Sequence, residues 1–355
     1  MAAILCEEFN LPAPSLEAIL KCSHKFWSRL EQRKAVPENT PQFCAVDPFD
    51  DHALDKITLD SPFWIKPVKG YASLLGFRIN DADDFHRALK IVRDKIRRIG
   101  DPFNTILQRI ALPAEVAAVD GNHLIAEQFI RGLEIAPEGS VQQGQFRVHG
   151  VIDMVRDKNH KSFLRYEYPS QSPHHIQERA INIAEKVLKQ IGFDNGCFNM
   201  EFFWNKKTDD LWIIEINPRI SQSHSYQFEK VDGISNHEVA VHVALGDQID
   251  FQHGAGSYKH AAKFLLRHYS QEDVLVTSIP GKEALAQLKT VHPDTEVYLI
   301  VHKNQQLSTL TDQDAYSFVL AEIEIAAQTT HEMIEKYRQA VALLPFEFEP
   351  VRNSS

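Results

Sequence analysis

The stretch FNMEFFWNKKTDDLWIIEINPRISQSH, residues 198–224, decides the fold. It predicts two strands joined by a polar turn over residues 205–210. Phe202, Phe203 and Trp204 before the turn, with Leu211, Trp212, Ile213 and Ile214 after it, suit strands covered on both faces. Into this apolar pair come Glu201, Glu215 and Asn217. Strand alternation puts Glu215 and Asn217 on one face, because they stand two residues apart. Antiparallel pairing lets Glu201 lie across from Glu215, gathering two carboxylates and an amide oxygen. Two carboxylates held together are costly unless a proton or a cation sits between them. A hard, oxygen-seeking ion such as Mg²⁺ (or Mn²⁺) is the natural occupant. Arg219, two residues on, offers a fork of N–H donors to a phosphate or carboxylate. A plain hairpin with its acids in water accounts for them badly, since they are embedded in aromatic and branched residues.

Upstream, Phe63-Trp64-Ile65-Lys66-Pro67-Val68-Lys69-Gly70 sets Lys66 inside an apolar strand, where an unpaired ammonium is expensive. The turn after it holds Gly70, Ser73 and Gly76, whose backbone N–H groups can close over phosphates. There is no GxxxxGK[ST], which excludes a P-loop, and no GxGxxG. Ser23 makes an N-cap for a helix carrying Phe26, Trp27 and Leu30. That cap places Lys25 in the first turn, where the helix dipole slightly disfavours a cation.

Glu201, then Glu215 fourteen residues on, then Asn217-Pro218-Arg219 resembles the metal-binding signature of the ATP-grasp superfamily. The run Glu215-Ile-Asn-Pro-Arg-Ile-Ser is most similar to biotin carboxylase and carbamoyl-phosphate synthetase relatives. The resemblance implies an α+β fold of two lobes gripping ATP, with Glu201, Glu215 and Asn217 as Mg²⁺ ligands. It implies Arg219 as a contact to the reacting phosphoryl group, and Lys25 and Lys66 as nucleotide lysines. His24 stands where the family usually has Asp. Gly70 and Ser73 fall in the phosphate-covering lid loop. After the strand Leu124-Ile-Ala-Glu-Gln-Phe-Ile130, the resemblance sets Glu127, Phe129 and Ile130 against adenine and Glu134 against the ribose.

The expected organisation is an N-terminal segment of helices and connector (1–60), a lid lobe (61–126), a catalytic lobe (127–256) and a small C-terminal α+β region (257–355). Only 24 residues precede Lys25, fewer than the domain of about a hundred that the family places there. That domain is expected to be shortened or absent, with a homo-oligomer or a partner subunit completing the acceptor side. Residues 37–60 read as polar connection. Asp81 caps a helix with Phe85, Leu89, Val92, Ile96 and Ile99 on one face. Ile176 to Ile191 form a helical stripe ending at Gly192, and residues 259–267, 295–301 and 329–344 read as two strands and a closing helix.

Composition narrows the function. The chain has 355 residues, 43% of them hydrophobic, and a net charge of −10 without a basic run, which speaks against nucleic acid. Its four cysteines form no CxxC pair or secreted-type framework. No apolar run approaches a membrane span and no signal-peptide core opens the chain, so a cytoplasmic location is expected. Biotin carboxylase relatives place a Glu just before the His that follows the metal motif; here Ser223 precedes His224, which disfavours carboxylation. What remains is an ATP-dependent ligase that phosphorylates a small carboxylate for attack by an amine or thiol. The other reading is a nucleotide-binding regulatory or scaffold subunit without turnover.

A lid has a testable signature. Amides of residues 68–76 are expected to gain hydrogen-exchange protection when Mg-ATP is added; unchanged exchange there would make Lys66 a structural lysine and remove the lid.

Overall fold

A computed structural model describes residues 2–70, 74–157, 162–249, 251–270, 272–310 and 317–351. Ser73 of the lid loop lies outside them. Helices α1 (Ala2–Glu8), α2 (Leu16–Ser23) and α3 (Lys25–Ala35) precede strands β1 (Phe43–Val46), β2 (Phe63–Pro67) and β3 (Phe77–Ile79). Helices α4 (Ala82–Lys95), α5 (Arg97–Leu107) and α6 (Ala114–Ala117) lead to β4 (Leu124–Gln128), β5 (Leu133–Gln142), β6 (Gln145–Arg156) and β7 (Phe163–Tyr168). Helix α7 (His174–Ile191) enters the hairpin of β8 (Gly196–Asn205) and β9 (Asp210–Asn217). Then come α8 (Ser225–Asp232), α9 (Asn236–Leu245), β10 (His260–His268), β11 (Val274–Ser278) and α10 (Lys282–Val291). Strands β12 (Glu296–Leu299) and β13 (Phe318–Ala327), helix α11 (Thr330–Leu343) and β14 (Glu347–Pro350) close the chain.

Two compact units result: Met1–Val148 with Pro173–Ile220 and His242–Gln248, and His149–Ser172 with Ser221–Val241 and Ile249–Ser355. This division differs from the four segments expected, because strand pairing gathers residues far apart in sequence. In the first unit a four-stranded antiparallel sheet runs β1-β4-β2-β3. It draws β1 out of the segment read as polar connection, and β4 straddles the expected boundary at 126. The helix expected to reach Ile99 stops at Lys95, and α5 starts at Arg97.

Period-2 alternation lets this sheet be covered twice. Phe63, Ile65, Leu124 and Ala126 pack with Phe85, Leu89 and Val92 of α4. Ile125 packs on the other side with Trp27 and Leu30 of α3 and Phe103 of α5. Lys66 and Glu127 take the α3 side by the same alternation. The same unit holds β5, β8 and β9, paired antiparallel. Gly132, just before β5, lies so close to β8 that a Cβ there would come within 2.4 Å of the Trp204 carbonyl oxygen. Its missing side chain thus serves a close approach of backbones.

The second unit is built on antiparallel neighbours β12, β13, β10 and β7, with the end of β6 pairing β7. Helix α11 covers this sheet through Met333 and Ala340 among Phe264, Ile323 and Ile325, and α8 packs through Phe228 and Val231. Among the described residues no helix is long and apolar enough to cross a membrane.

Phe85 is 1% exposed at the centre of the α4 packing. Phe85→Ala is expected to lower the unfolding free energy in urea by roughly 3–5 kcal/mol, the cost of lost transfer energy plus a cavity.

Candidate active site

The hairpin pairs Asn199 with Asn217, Met200 with Ile216 and Glu201 with Glu215, then shifts so that Phe202 faces Ile213. Ile214 is the extra residue of a β-bulge. The bulge reverses the burial phase of β9: Leu211 and Ile213 are buried before it, Ile216 after it. Glu215 and Asn217 therefore leave the side that Leu211 and Ile213 occupy and join Glu201. Asn217 Nδ2 stands 3.1 Å from Glu201 Oε1 and 3.5 Å from Glu215 Oε1. Asn217 Oδ1 accepts from Arg219 Nη2 at 3.4 Å. A half-turn of the amide brings its oxygen among the carboxylates, so the donor set fits a hard divalent cation. Burial pushes the Glu215 carboxyl up, but Lys25 and Lys66 outweigh it and hold it below its ordinary value, ready as a ligand.

Helix α3 brings the first lysine. His24, not Ser23, is its cap, since Ser23 is still the last residue of α2. His24 Nδ1 accepts from the Trp27 N–H at 3.3 Å, which leaves Nε2 to donate to the Val119 carbonyl at 2.8 Å. Burial keeps this imidazole neutral by lowering its pKa. The Lys25 N–H donates to the Val68 carbonyl at 2.8 Å, docking the helix start on the residue after β2. Lys25 Nζ donates to the Gly70 carbonyl at 3.1 Å and stands 3.8 Å from Glu215 Oε2. Those two oxygens offset the unfavourable dipole of a first-turn cation.

Glu127, 5% exposed, is the centre of the second group. Its Oε2 accepts from Lys66 Nζ at 2.6 Å and its Oε1 from Arg29 Nε at 2.7 Å. Burial alone would raise its pKa, but Arg29 and Lys66 overcome that and hold it at about 2. Arg29 Nη2 donates onward to the Ile214 carbonyl at 2.8 Å, the oxygen of the bulge residue. Lys25, Lys66, Gly70, Glu127, Glu215, Asn217 and Arg219 thus share one cavity of about 330 Å³.

Residues 59–226 match the family model of the ATP-grasp domain. The whole chain superposes on L-amino acid ligase from Bacillus licheniformis with a TM-score of 0.75, at 20% identity, covering 98% of this chain and 78% of that one. Residues 59–226 are thus an ATP-grasp domain. Biotin carboxylase from Campylobacter jejuni shares the fold at a TM-score of 0.65 and 17% identity, covering 98% of this chain and 72% of that one. Among curated relatives, an uncharacterised protein of Sinorhizobium fredii is 25% identical over 254 residues, 69% of this chain. The C-terminal section of the carbamoyl phosphate synthase large chain of Methanopyrus kandleri is 26% identical over 140 residues, 38% of this chain. The matched stretches take in 46% and 26% of those two relatives, so the chain spans less than half the length of the curated relatives it matches.

Among the described residues, the expected Glu201, Phe129, Ile130 and Glu134 are not part of that cavity wall. The Arg78 guanidinium lies 4.6 Å from the centroid of the Phe129 ring. Ile130 is half-buried, and Glu134, buried at the start of β5, faces Phe203 of β8. Conversely, the cavity wall includes Arg29, Gln32 and Lys69, which the sequence reading passed over. Beside the Glu201–Glu215 pair, Asn199 Nδ2 donates to Glu138 Oε2 at 3.3 Å and extends the polar row onto β5. Asn199, two residues before Glu201 on the same strand face, was the available signal for it.

Glu127 ties stability to pH. A carboxyl lowered from 4.5 to about 2 adds stability that is complete above pH 4.5 and lost as pH falls toward 2. Glu127→Gln is expected to flatten urea-measured stability across that window and to cost roughly 3–5 kcal/mol at neutral pH, where Arg29 and Lys66 lose their buried anion.

Proposed function

We propose that this chain uses Mg-ATP to convert a small-molecule carboxylate into an acyl phosphate, which an amine or thiol then attacks. The observation that carries the reading is the convergence of Glu215 and Asn217 with Lys25 and Lys66 at one cavity, with Glu201 paired to Glu215 and hydrogen-bonded by Asn217 beside it. Five cationic side chains line it (Lys25, Arg29, Lys66, Lys69 and Arg219) against the two carboxylates Glu127 and Glu215. Such a wall favours a polyanion with a bound divalent cation over an apolar ligand. Names of similar proteins point the same way: one is an L-amino acid ligase, and another was solved as a carboxyaminoimidazole ribonucleotide synthase complexed with ATP.

In this reading Glu201, Glu215 and Asn217 would hold the cation, which would offset charge developing on the phosphates during transfer. Lys25 and Lys66 draw the phosphate chain into line, with Lys66 held at its position by Glu127. Arg219, exposed at the rim, is free to swing its guanidinium onto the transferred group or the acyl phosphate. Phe129, Ile130 and the chain up to Glu134 take the base and ribose end, and the 70–76 turn closes over the phosphates. Catalysis then rests on positioning and electrostatics, and no protein nucleophile is required. The acceptor is a small amine or thiol.

The test is release of ADP and phosphate against a panel of carboxylic acids and amines. Glu215→Ala is expected to lower metal-dependent turnover at least about a hundredfold while circular dichroism stays unchanged. Undiminished turnover in that variant would remove the metal assignment.

A further inference from the structure

Three of the cavity cations have a carboxylate of their own. Arg29 and Lys66 share Glu127, and Lys25 stands 3.8 Å from Glu215. Lys69 differs: among the described residues no carboxylate oxygen comes within 4.0 Å of its ammonium. Its Nζ lies over the Phe103 ring, 5.5 Å from the centroid, so the ammonium borders the cavity with an aromatic face beside it rather than a carboxylate. Burial and neighbouring Lys25 lower its pKa, against the pull of Glu215, while Arg219 adds to the lowering. Lys69 immediately precedes Gly70, whose carbonyl accepts from Lys25 Nζ, and Lys25 stands 3.8 Å from Glu215 Oε2, so Lys69 enters the cavity on the Glu215 side. A half-buried ammonium beside two other cations is unfavourable until an anion arrives.

We propose that Lys69 is a third phosphate lysine, whose ammonium meets the terminal phosphoryl group of a bound nucleoside triphosphate at the Glu215–Arg219 end of the cavity. This rests on the Mg-ATP reading. Lys66 is held by Glu127 at 2.6 Å, whereas among the described residues Lys69 has no such carboxylate, so Lys69 is the lysine left to answer the added phosphoryl group. Lys69 thereby makes the site prefer a triphosphate over a diphosphate, a distinction that a purely structural lysine could not create.

Calorimetry on the full chain with Mg²⁺ tests this, using a non-hydrolysable ATP analogue in one series and ADP in the other. Lys69→Met keeps an unbranched stem against Phe103 and removes the charge. It is expected to weaken the analogue at least about tenfold while changing ADP by less than about twofold. Lys69→Arg is expected to recover most of the lost affinity. Thermal melts establish that each variant is folded, and Lys69→Gln serves in the same comparison should the Met variant not fold. Equal losses for both nucleotides, or no loss for the analogue, would overturn the role of Lys69 alone. A wild-type chain that binds neither nucleotide would overturn the Mg-ATP reading and this inference together.

Discussion

Glu127 takes Arg29 on one carboxylate oxygen at 2.7 Å and Lys66 on the other at 2.6 Å, and so binds β4 to α3 and to β2 at a single buried point. Neither partner can leave without stranding a charge away from water, which is far costlier than the modest net worth of the pairs themselves. Arg29 carries the restraint further by donating to the Ile214 carbonyl of β9. The sheet that presents Lys66 and the hairpin that presents Glu215 are thereby referred to one guanidinium. The trio also keeps one positive charge in excess, and the cavity it borders inherits that bias toward anions.

The cap of α3 acts on the same balance. An aspartate before Lys25 would accept the helix N–H and at the same time offer the lysine a negative neighbour. His24 performs the capping with a neutral ring, its tautomer set by the Trp27 N–H and the Val119 carbonyl. The Lys25 charge is left to the Gly70 carbonyl and Glu215, both of which line the cavity. Replacing the acid therefore keeps the helix start and leaves more positive potential facing the ligand.

Some of this was legible from local pattern. Glu215 and Asn217 share a face because strands repeat every two residues, and a polar turn of the right length brings Glu201 opposite. Lys66 was conspicuous as a charge in an apolar strand. Arg29 was not, because its partner lies 98 residues away and nothing near Arg29 records that distance. Strand β1 was passed over for a similar reason: four residues flanked by polar connection become a strand only when β4 arrives beside them. Lys69 sat in plain view, but only the folded neighbourhood shows that, among the described residues, no carboxylate pairs with it while Glu127 pairs with Lys66. The bulge had a faint trace in the adjacent Ile213 and Ile214, where the alternation slips by one.

That slip works as a frame shift written in protein. Upstream of Ile214 the odd-numbered residues of β9 belong to the core, and downstream the odd-numbered residues belong to the cavity. Length changes in the exposed 206–209 turn leave the frame intact, whereas straightening the bulge with all its residues kept would exchange the two faces as far as Pro218. Glu215 and Asn217 would then turn toward the apolar interior and Ile216 toward the cavity. Among descendants of this sequence, length changes should therefore be tolerated in the turn and even at Ile214, whose loss merely regularises the ladder, but purged between Glu215 and Asn217, where one residue gained or lost would part the pair onto opposite faces.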